Sequence, residues 1–367
     1  MLTGHATSAG SARYAARFDK CAEHFRKSQQ LVLSSIGIGT YLGNADDQTD
    51  RAYESAIRRS VHLGSNVIDT AANYRFQRSE RAIGNALREL VENNGFSRDE
   101  LVICTKGGYL PFDGAPPADV RAYVEETFVK PGIARFDDFV AGSHCMTPAY
   151  LQNQLDQSLR NMQVDSVDVY YIHNPESQLG HVSETEFYTR LRAAFALLEE
   201  NRSRGKLSFY GVATWNGFRA AEGSAGYHSL EKMATLATEV AGKDHGFRFV
   251  QLPFNLGMTE AFTLLNQTVG GRKFSALEAA GELGITAVSS ASILQGRVAH
   301  GLPSDLQTAL GSLSSDAQTA IQFVRSTPGV TTALIGMSNV EHVDENLQLV
   351  NVAPVSRERF VGLFDES

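Results

Sequence analysis

The sequence predicts an α/β protein, a (β/α)8 TIM barrel in a single domain with long loops after strands 3, 6 and 7. Three observations predict it. Short apolar runs alternate with helical stretches eight times in about 320 residues, with no long antiparallel section, which favours a closed parallel barrel over an open doubly wound sheet. No Gly-x-Gly-x-x-Gly follows the first strand, because Gly37-Ile38-Gly39 lies inside a strand and is followed by Thr40-Tyr41. Three apolar runs end abruptly in Asp69, Lys106 and His173, and an unpaired polar group at a core boundary is costly unless it has a task.

No linker divides the chain. Residues 34–351 read as the barrel domain, 1–33 as an N-terminal arm and 352–367 as a C-terminal tail. Hydrophobic residues make up 43% of 367, enough for a sizeable core, and the net charge of −8 argues against a nucleic-acid or anionic-membrane surface. Cys21, Cys104 and Cys145 are odd in number and far apart, so they read as reduced thiols. No apolar run approaches the ~20 residues of a membrane helix, and the basic first segment lacks the apolar core of a secretory signal. A cytoplasmic protein is expected.

Taken in order, the Ala/Ser-rich start carries a short helix over about 12–25, packed on the outside. A strand over 35–40 leads through Gly43-Asn44-Ala45-Asp46-Asp47 to a helix over 48–62, with acids in its first turn and Gly64 as its stop. Strand 67–69 precedes a helix over 79–92 that ends at Asn94-Gly95. Strand 101–106 opens on an irregular stretch, 107–145, whose length marks a functional loop or an insertion. Thr147-Pro148 then starts a helix to 162, with Thr as N-cap and Pro at the first position.

Strand 167–173, helix 184–203 and strand 207–213 follow. A helix lies somewhere in 218–241, weakened by Gly223 and Gly226, and Pro253 closes a sixth strand over 249–252. Ser275-Ala276-Leu277-Glu278 is a capping box opening a helix that stops at Gly284. Strand 285–289 precedes a long connection, 290–313. Ser315-Asp316-Ala317-Gln318 reads as another capping box, for a helix stopping near Pro328, and strand 331–335 follows. Ser338-Asn339-Val340-Glu341 then caps a last helix running to about 350.

In a barrel the carboxyl ends of all strands open on one face. Asp69, Lys106 and His173 close three adjacent strands and should converge there, with Tyr74 swinging in from the loop after the second. A carbonyl being reduced needs a proton at its oxygen, and tyrosine with a pKa of about 10 is a reluctant donor. A nearby ammonium lowers that pKa, an aspartate keeps the ammonium charged and aimed, and an imidazole can orient the carbonyl. Each residue alone has a plainer reading: turn cap, solvated strand end, rim aromatic or core histidine. Only their conjunction favours chemistry.

The run Val67-Ile68-Asp69-Thr70-Ala71-Ala72-Asn73-Tyr74 with Ser79-Glu80, then Thr105-Lys106, then Tyr171-Ile172-His173-Asn174, resembles the signatures of the aldo-keto reductases. The resemblance covers about 34–350. It implies Tyr74 as general acid, tuned by Lys106 and Asp69, with His173 orienting a small-molecule carbonyl or alcohol substrate. It implies a nicotinamide cofactor held without a Rossmann domain, NADP (NADPH) by preference, with NAD as the alternative.

Gln251 matches a residue that binds the nicotinamide carboxamide; Thr40, Asn174, Ser290, Gln295 and Gly336 are implied cofactor contacts. The family's Ser-Asn pair after the fifth strand is Ala213-Thr214 here, so only Thr214 can donate a hydrogen bond. Trp215 is placed to pack on the nicotinamide. The loop 290–297, with Gly296 and Arg297, matches the segment that folds over the pyrophosphate. The helix opening at Ser338 suits a 2′-phosphate, and Glu345 and Asn346 match adenine contacts. The arginine that commonly grips the 2′-phosphate is His342 here.

Substrate specificity is expected from Tyr41, Tyr109 and Trp215, with the loops 107–145 and 290–313. Nucleic-acid and membrane partners are not expected, and the oligomeric state is open. Two other readings stand beside the reductase. One is a Schiff-base lyase, which needs Lys106 desolvated and unpaired. The other is a nicotinamide-nucleotide-binding regulatory subunit without significant turnover. A metal site from His173, Glu176 and His181 lacks a fixed face, so no metal is expected.

Overall fold

Parity along each strand decides what the barrel encloses. The computed structural model of the chain describes residues 1–18 and 23–364. Its barrel strands are β1 (Ile36–Gly39), β2 (Val67–Asp69), β3 (Val102–Gly107), β4 (Val167–His173), β5 (Leu207–Ala213), β6 (Phe247–Pro253), β7 (Thr286–Ser290) and β8 (Val330–Gly336). All pair in parallel, in chain order, and β8 returns to β1 to close the cylinder. The expected closed (β/α)8 barrel is what forms.

Side chains alternate faces along a strand. Val67, Val102, Val169, Tyr171 and Phe249 fill the interior. Continuing the same parity upward places Asp69, Lys106, His173 and Gln251 on the interior face at the carboxyl end. The opposite parity, including Ile68, Ile103, Ile172 and Val250, packs outward against the helices. Gly37 owes its identity to this packing: a Cβ there would meet Leu334 Cδ2 at 2.9 Å and the Val67 carbonyl at 3.0 Å.

The surrounding helices are α1 (Asp47–His62), α2 (Arg78–Asn93), α3 (Pro148–Met162), α4 (Glu184–Ser203), α5 (Leu230–Ala241), α6 (Ala276–Glu282), α7 (Asp316–Ser326) and α8 (Val340–Asn346). Asp46 caps α1 by accepting from the Thr49 N–H, and the Ser275/Glu278 capping box of α6 is present. Three caps differ from expectation. Thr147 makes no side-chain cap to α3, because its hydroxyl contacts Cys145 Sγ at 3.3 Å. Ser315 caps α7, but Gln318 reaches back to the Ser314 N–H instead of closing the box. Asn339, not Ser338, caps α8, which is short and continues as the 310 turn Leu347–Asn351. α5 starts only at Leu230, since Gly223 and Gly226 hold left-handed turns before it.

The long loops are partly folded. Residues 107–145 carry the helical pieces Val120–Val124, Glu125–Val129 and Phe136–Asp138 around their own cluster of Val124, Phe128, Phe139 and Tyr150. The connection after β6 holds an antiparallel hairpin, Gln267–Val269 with Arg272–Phe274.

The N-terminal segment differs most. Its helix is Ser8–Ala15, earlier than the 12–25 expected, and residues 19–22 of that expectation lie outside the described residues. A β-hairpin, Phe25–Ser28 with Leu31–Ser34, follows. Leu31 and Leu33, 3% and 1% exposed, plug the amino end of the barrel against its interior valines. Two strands of four residues are too short to show a period, and only the open barrel end gives them a surface to cover. Among the described residues, no helix is long and apolar enough to cross a membrane.

Candidate active site

Asp69, Tyr74 and His173 line a cavity of about 470 Å³, and Lys106 is buried behind Asp69 without lining it. Lys106 Nζ donates to Asp69 Oδ1 at 2.5 Å and to the Thr70 carbonyl at 2.7 Å. The second Asp69 oxygen accepts from Gln251 Nε2 at 2.8 Å, so three strands fix one carboxylate. Lys106 Nζ lies 5.2 Å from the centre of the Tyr74 ring. The His173 ring meets Tyr74 edge-on at 5.8 Å, and Tyr109 packs on the far side of His173 at 5.1 Å. Tyr41 leans on Tyr74 at 5.0 Å.

Strand register explains the convergence. Asp69 pairs with Cys104, so Lys106 stands one pleat higher on the same inward face. Lys106 pairs with Tyr171, and His173 stands one pleat above that in turn. The stagger of the barrel therefore raises the side chains stepwise from the carboxylate to the imidazole.

Tyr74 needs a different device, because it leaves the loop after β2. Arg75, Phe76 and Gln77 all take left-handed φ values of 48°, 57° and 69°, a costly run for residues with side chains. Arg75 offsets that cost. Its side chain is 2% exposed, and the guanidinium donates to the Asn44 carbonyl at 2.8 Å, pairs with Asp50 and lies over the Tyr53 ring. Sequence reasoning missed Arg75, since an arginine beside a tyrosine reads as a solvated charge; the run Arg75-Phe76-Gln77 without glycine gave no hint of a strained turn.

The electrostatics correct one expectation. Burial pushes the Tyr74 phenol above its ordinary value; Lys106 pulls it back down without overcoming burial, and Asp69 adds to the rise. Burial acts to lower the Lys106 ammonium, but the Asp69 charge and hydrogen bond hold it above the usual lysine value. Burial pushes the Asp69 carboxyl above its ordinary value, and Lys106 and Gln251, its two hydrogen-bond donors, pull it back down. His173 is held well below the usual imidazole value by burial, then by Lys106 and His144. It is therefore a neutral ring. His144 Nε2 contacts the His173 carbonyl at 2.7 Å and its Nδ1 faces Gln178 Nε2 at 2.9 Å, which fixes the backbone beneath that ring.

Of the other expected site residues, Thr40, Tyr41, Tyr109 and Asn174 line the cavity on one side. Thr214, Trp215, Gln251, Ser290, Gln295 and Gly336 line the other. Tyr109 is held by Ser177 Oγ at 2.8 Å and is the part of 107–145 that reaches the cavity; the remainder folds away on its own core. Gly296, Arg297, Ser338, His342, Glu345 and Asn346 do not line it. Arg297 and His342 are exposed, while Asn346 is buried and its Oδ1 has no hydrogen-bond partner among the described residues. The loop after β7 is strained like that after β2, with Ala291, Leu294 and Gln295 all left-handed.

Comparison with known proteins agrees with this geometry. The model of the Aldo/keto reductase family matches residues 35–237, more than half of the chain. This chain belongs to the aldo/keto reductase family. It is similar to the NADH-specific methylglyoxal reductase of Escherichia coli (strain K12), 26% identical over 188 residues, which are 50% of this chain and 49% of that protein. The chain thus spans about half the length of that curated relative. An aldo/keto reductase from Klebsiella pneumoniae in complex with NADP and acetate shares the fold with a TM-score of 0.62 at 19% identity, covering 94% of each chain. A glycerol dehydrogenase from Gluconobacter oxydans gives 0.62 at 18%, covering 94% of this chain and 95% of that one.

Proposed function

We propose that this protein catalyses the NAD(P)H-dependent reduction of an aldehyde or ketone to an alcohol, or the reverse, with Tyr74 as general acid and base. The observation that carries the reading is that Asp69, Tyr74 and His173 line one cavity while Lys106, buried behind them, pairs with Asp69 and lies by the Tyr74 ring. The nicotinamide, when bound, supplies or accepts the hydride.

The residues present fit its polar end. Thr214 Oγ1 is buried on the cavity wall without a hydrogen-bond partner among the described residues, and Gln251 lies beside it. Thr214, Gln251 and Trp215 would hold the nicotinamide, the 290–297 loop the pyrophosphate, and Ser338, His342, Glu345 and Asn346 the adenosine end. Tyr74 delivers a proton to the carbonyl oxygen, and Lys106, kept charged by Asp69, stabilises the phenolate left behind. Neutral His173 orients the oxygen by hydrogen bonding. Asp69 is the one formally charged side chain among the lining residues described, which favours an uncharged substrate.

NADPH is the preferred cofactor in this reading. It is supported by the NADP-bound fold neighbour from Klebsiella pneumoniae. NADH is the second reading, favoured by the NADH-specific relative and by His342 in place of an arginine. The lyase reading loses support, since Lys106 is paired at 2.5 Å instead of free.

The test is fluorescence titration with NADPH and NADH, followed by turnover of a panel of neutral carbonyls. Binding of either nucleotide with measurable reduction is expected. Binding without reduction would instead favour the regulatory reading, and binding of neither would remove both.

A further inference from the structure

The cavity mouth is guarded by Trp215, which is 40% exposed. An aromatic so exposed has little packing of its own, so its place depends on its backbone. Thr214 makes the last ladder bond there, its N–H donating to the Gln251 carbonyl at 2.9 Å. The next two N–H groups lie past the end of β5, and a side chain from the turn after β4 takes them both.

That side chain is Glu176. It sits in the 310 turn Pro175–Gln178, which begins after Asn174 reverses the chain with a φ of 43°. Glu176 Oε1 accepts the Trp215 N–H at 2.6 Å and the Asn216 N–H at 2.9 Å. Two consecutive amides on one carboxylate oxygen make a charge-assisted clamp.

The other carboxylate oxygen faces His228. Glu176 Oε2 is buried without a hydrogen bond among the described residues and lies 3.6 Å from His228 Nε2. His228 is fully buried and stacks on Phe187 at 5.2 Å, and neither of its nitrogens has a hydrogen-bond partner among the described residues. Its backbone N–H donates to the Gly217 carbonyl at 2.8 Å, and a Cβ on Gly217 would come within 2.2 Å of the imidazole. Residues 214–217 are thus gripped from below by a carboxylate and from the side by a ring.

We propose that Glu176, braced by His228, is a positioning residue that sets Trp215 at the cavity mouth and thereby the affinity for nucleotide and carbonyl. The kinetic consequence rests on the reductase reading above; the placement of Trp215 does not.

Trp215 is the single tryptophan of the chain, so its emission reports the segment directly, with or without turnover. Glu176→Ala is expected to shift that emission to the red and to increase its quenching by acrylamide. It should also raise KM for NADPH about tenfold while kcat stays within about threefold. Glu176→Gln, whose amide oxygen can still accept both N–H groups, is expected to restore most of the emission and KM. Glu176→Asp, one methylene short, should move both in the direction of the alanine variant, and it decides the matter if the alanine variant does not fold.

A merely structural role would lower the thermal midpoint and leave emission, quenching and KM at parental values; that result in Glu176→Ala or Glu176→Asp overturns the proposal. Should the parent protein reduce no carbonyl, the reductase reading falls, while the emission and quenching series still decides whether Glu176 places Trp215.

Discussion

The barrel buries a carboxylate–cation pair near each end, and the two are finished differently. At the amino end Asp168 accepts from Arg98 Nη2 at 2.9 Å, from the Ile103 N–H at 2.7 Å and from the Ala6 N–H at 2.5 Å. Arg98 spends further N–H groups on the Leu101 and Ser166 carbonyls, leaving Nε alone, and Leu31 and Leu33 seal the opening. At the carboxyl end Asp69 and Lys106 are as deeply paired, yet their surroundings are unfinished. His173 Nδ1 and Thr214 Oγ1, on residues that line the open cavity, are buried without hydrogen-bond partners among the described residues. A folded chain seldom leaves buried polar atoms unpaired. The sealed pair is closed off from any ligand, whereas the unfinished one faces the cavity that the proposed function assigns to nucleotide and carbonyl.

The sharpest break of this contrast is Tyr74→Phe. Reduction should fall about 10³-fold, the scale of lost general acid catalysis. Nucleotide affinity and thermal midpoint should stay near parental values, because only a hydroxyl is removed. Steady-state kinetics beside a nucleotide titration checks it, and turnover within tenfold of the parent would mean that the unfinished end is not catalytic through this phenol.

Asp168→Asn attacks the sealed end. Removing one member of a buried pair leaves Arg98 uncompensated and should cost about 3–5 kcal/mol of stability. Denaturant unfolding measures it, and kcat of the folded protein should be unchanged. A large loss of kcat without loss of stability would reverse the assignment of the two ends.

A titration separates the ends next. Burial holds His24, near the amino end, down to about 3, and His144, beneath the cavity, down to about 4. Both folded values lie below the unfolded one of about 6.5, so below that pH the unfolded chain binds more protons. Their contribution is complete above pH about 6.5 and is lost as pH falls toward the folded values. Each histidine should steepen the decline between those limits by up to about 1.4 kcal/mol per pH unit. His144→Gln should flatten the slope of stability against pH by one proton; an unchanged slope in urea midpoints would show that His144 is charged in the folded protein.

The smallest effect lies on the rim. His342→Arg adds one exposed charge near the start of α8, and exposed charges contribute about 1 kcal/mol or less. NADPH affinity should rise roughly fivefold relative to NADH. Equal ratios in parent and variant would place a 2′-phosphate elsewhere.

Much of this contrast was legible in the chain. The eight alternations and the three polar strand ends gave the barrel and named Asp69, Lys106 and His173 before any coordinates, because burial and period are local properties. The amino-end plug was not legible. The helix read over 12–25 lies earlier, at Ser8–Ala15, and the hairpin after it, Phe25–Ser28 with Leu31–Ser34, has strands too short to carry a period. The cap of α8 moved from Ser338 to Asn339, a choice between two good caps that only the path of β8 settles. The net rise of the Tyr74 phenol is not legible either, since the presence of a lysine shows in the sequence and the depth of burial does not.

Spacing alone determined which residues could face inward: alternate positions on strands and every third or fourth on helices share a face, whatever the neighbours. It also put a titratable group at three successive strand ends. Only the closed cylinder decided how high each stands, since Lys106 reaches Asp69, rather than water, through the stagger between β2 and β3. The roles of Arg75 and Glu176 belong to the tertiary structure for the same reason. Their partners, Asp50 and the Trp215 and Asn216 amides, lie 25 residues or more away in the chain, and no local pattern encodes a contact across that distance.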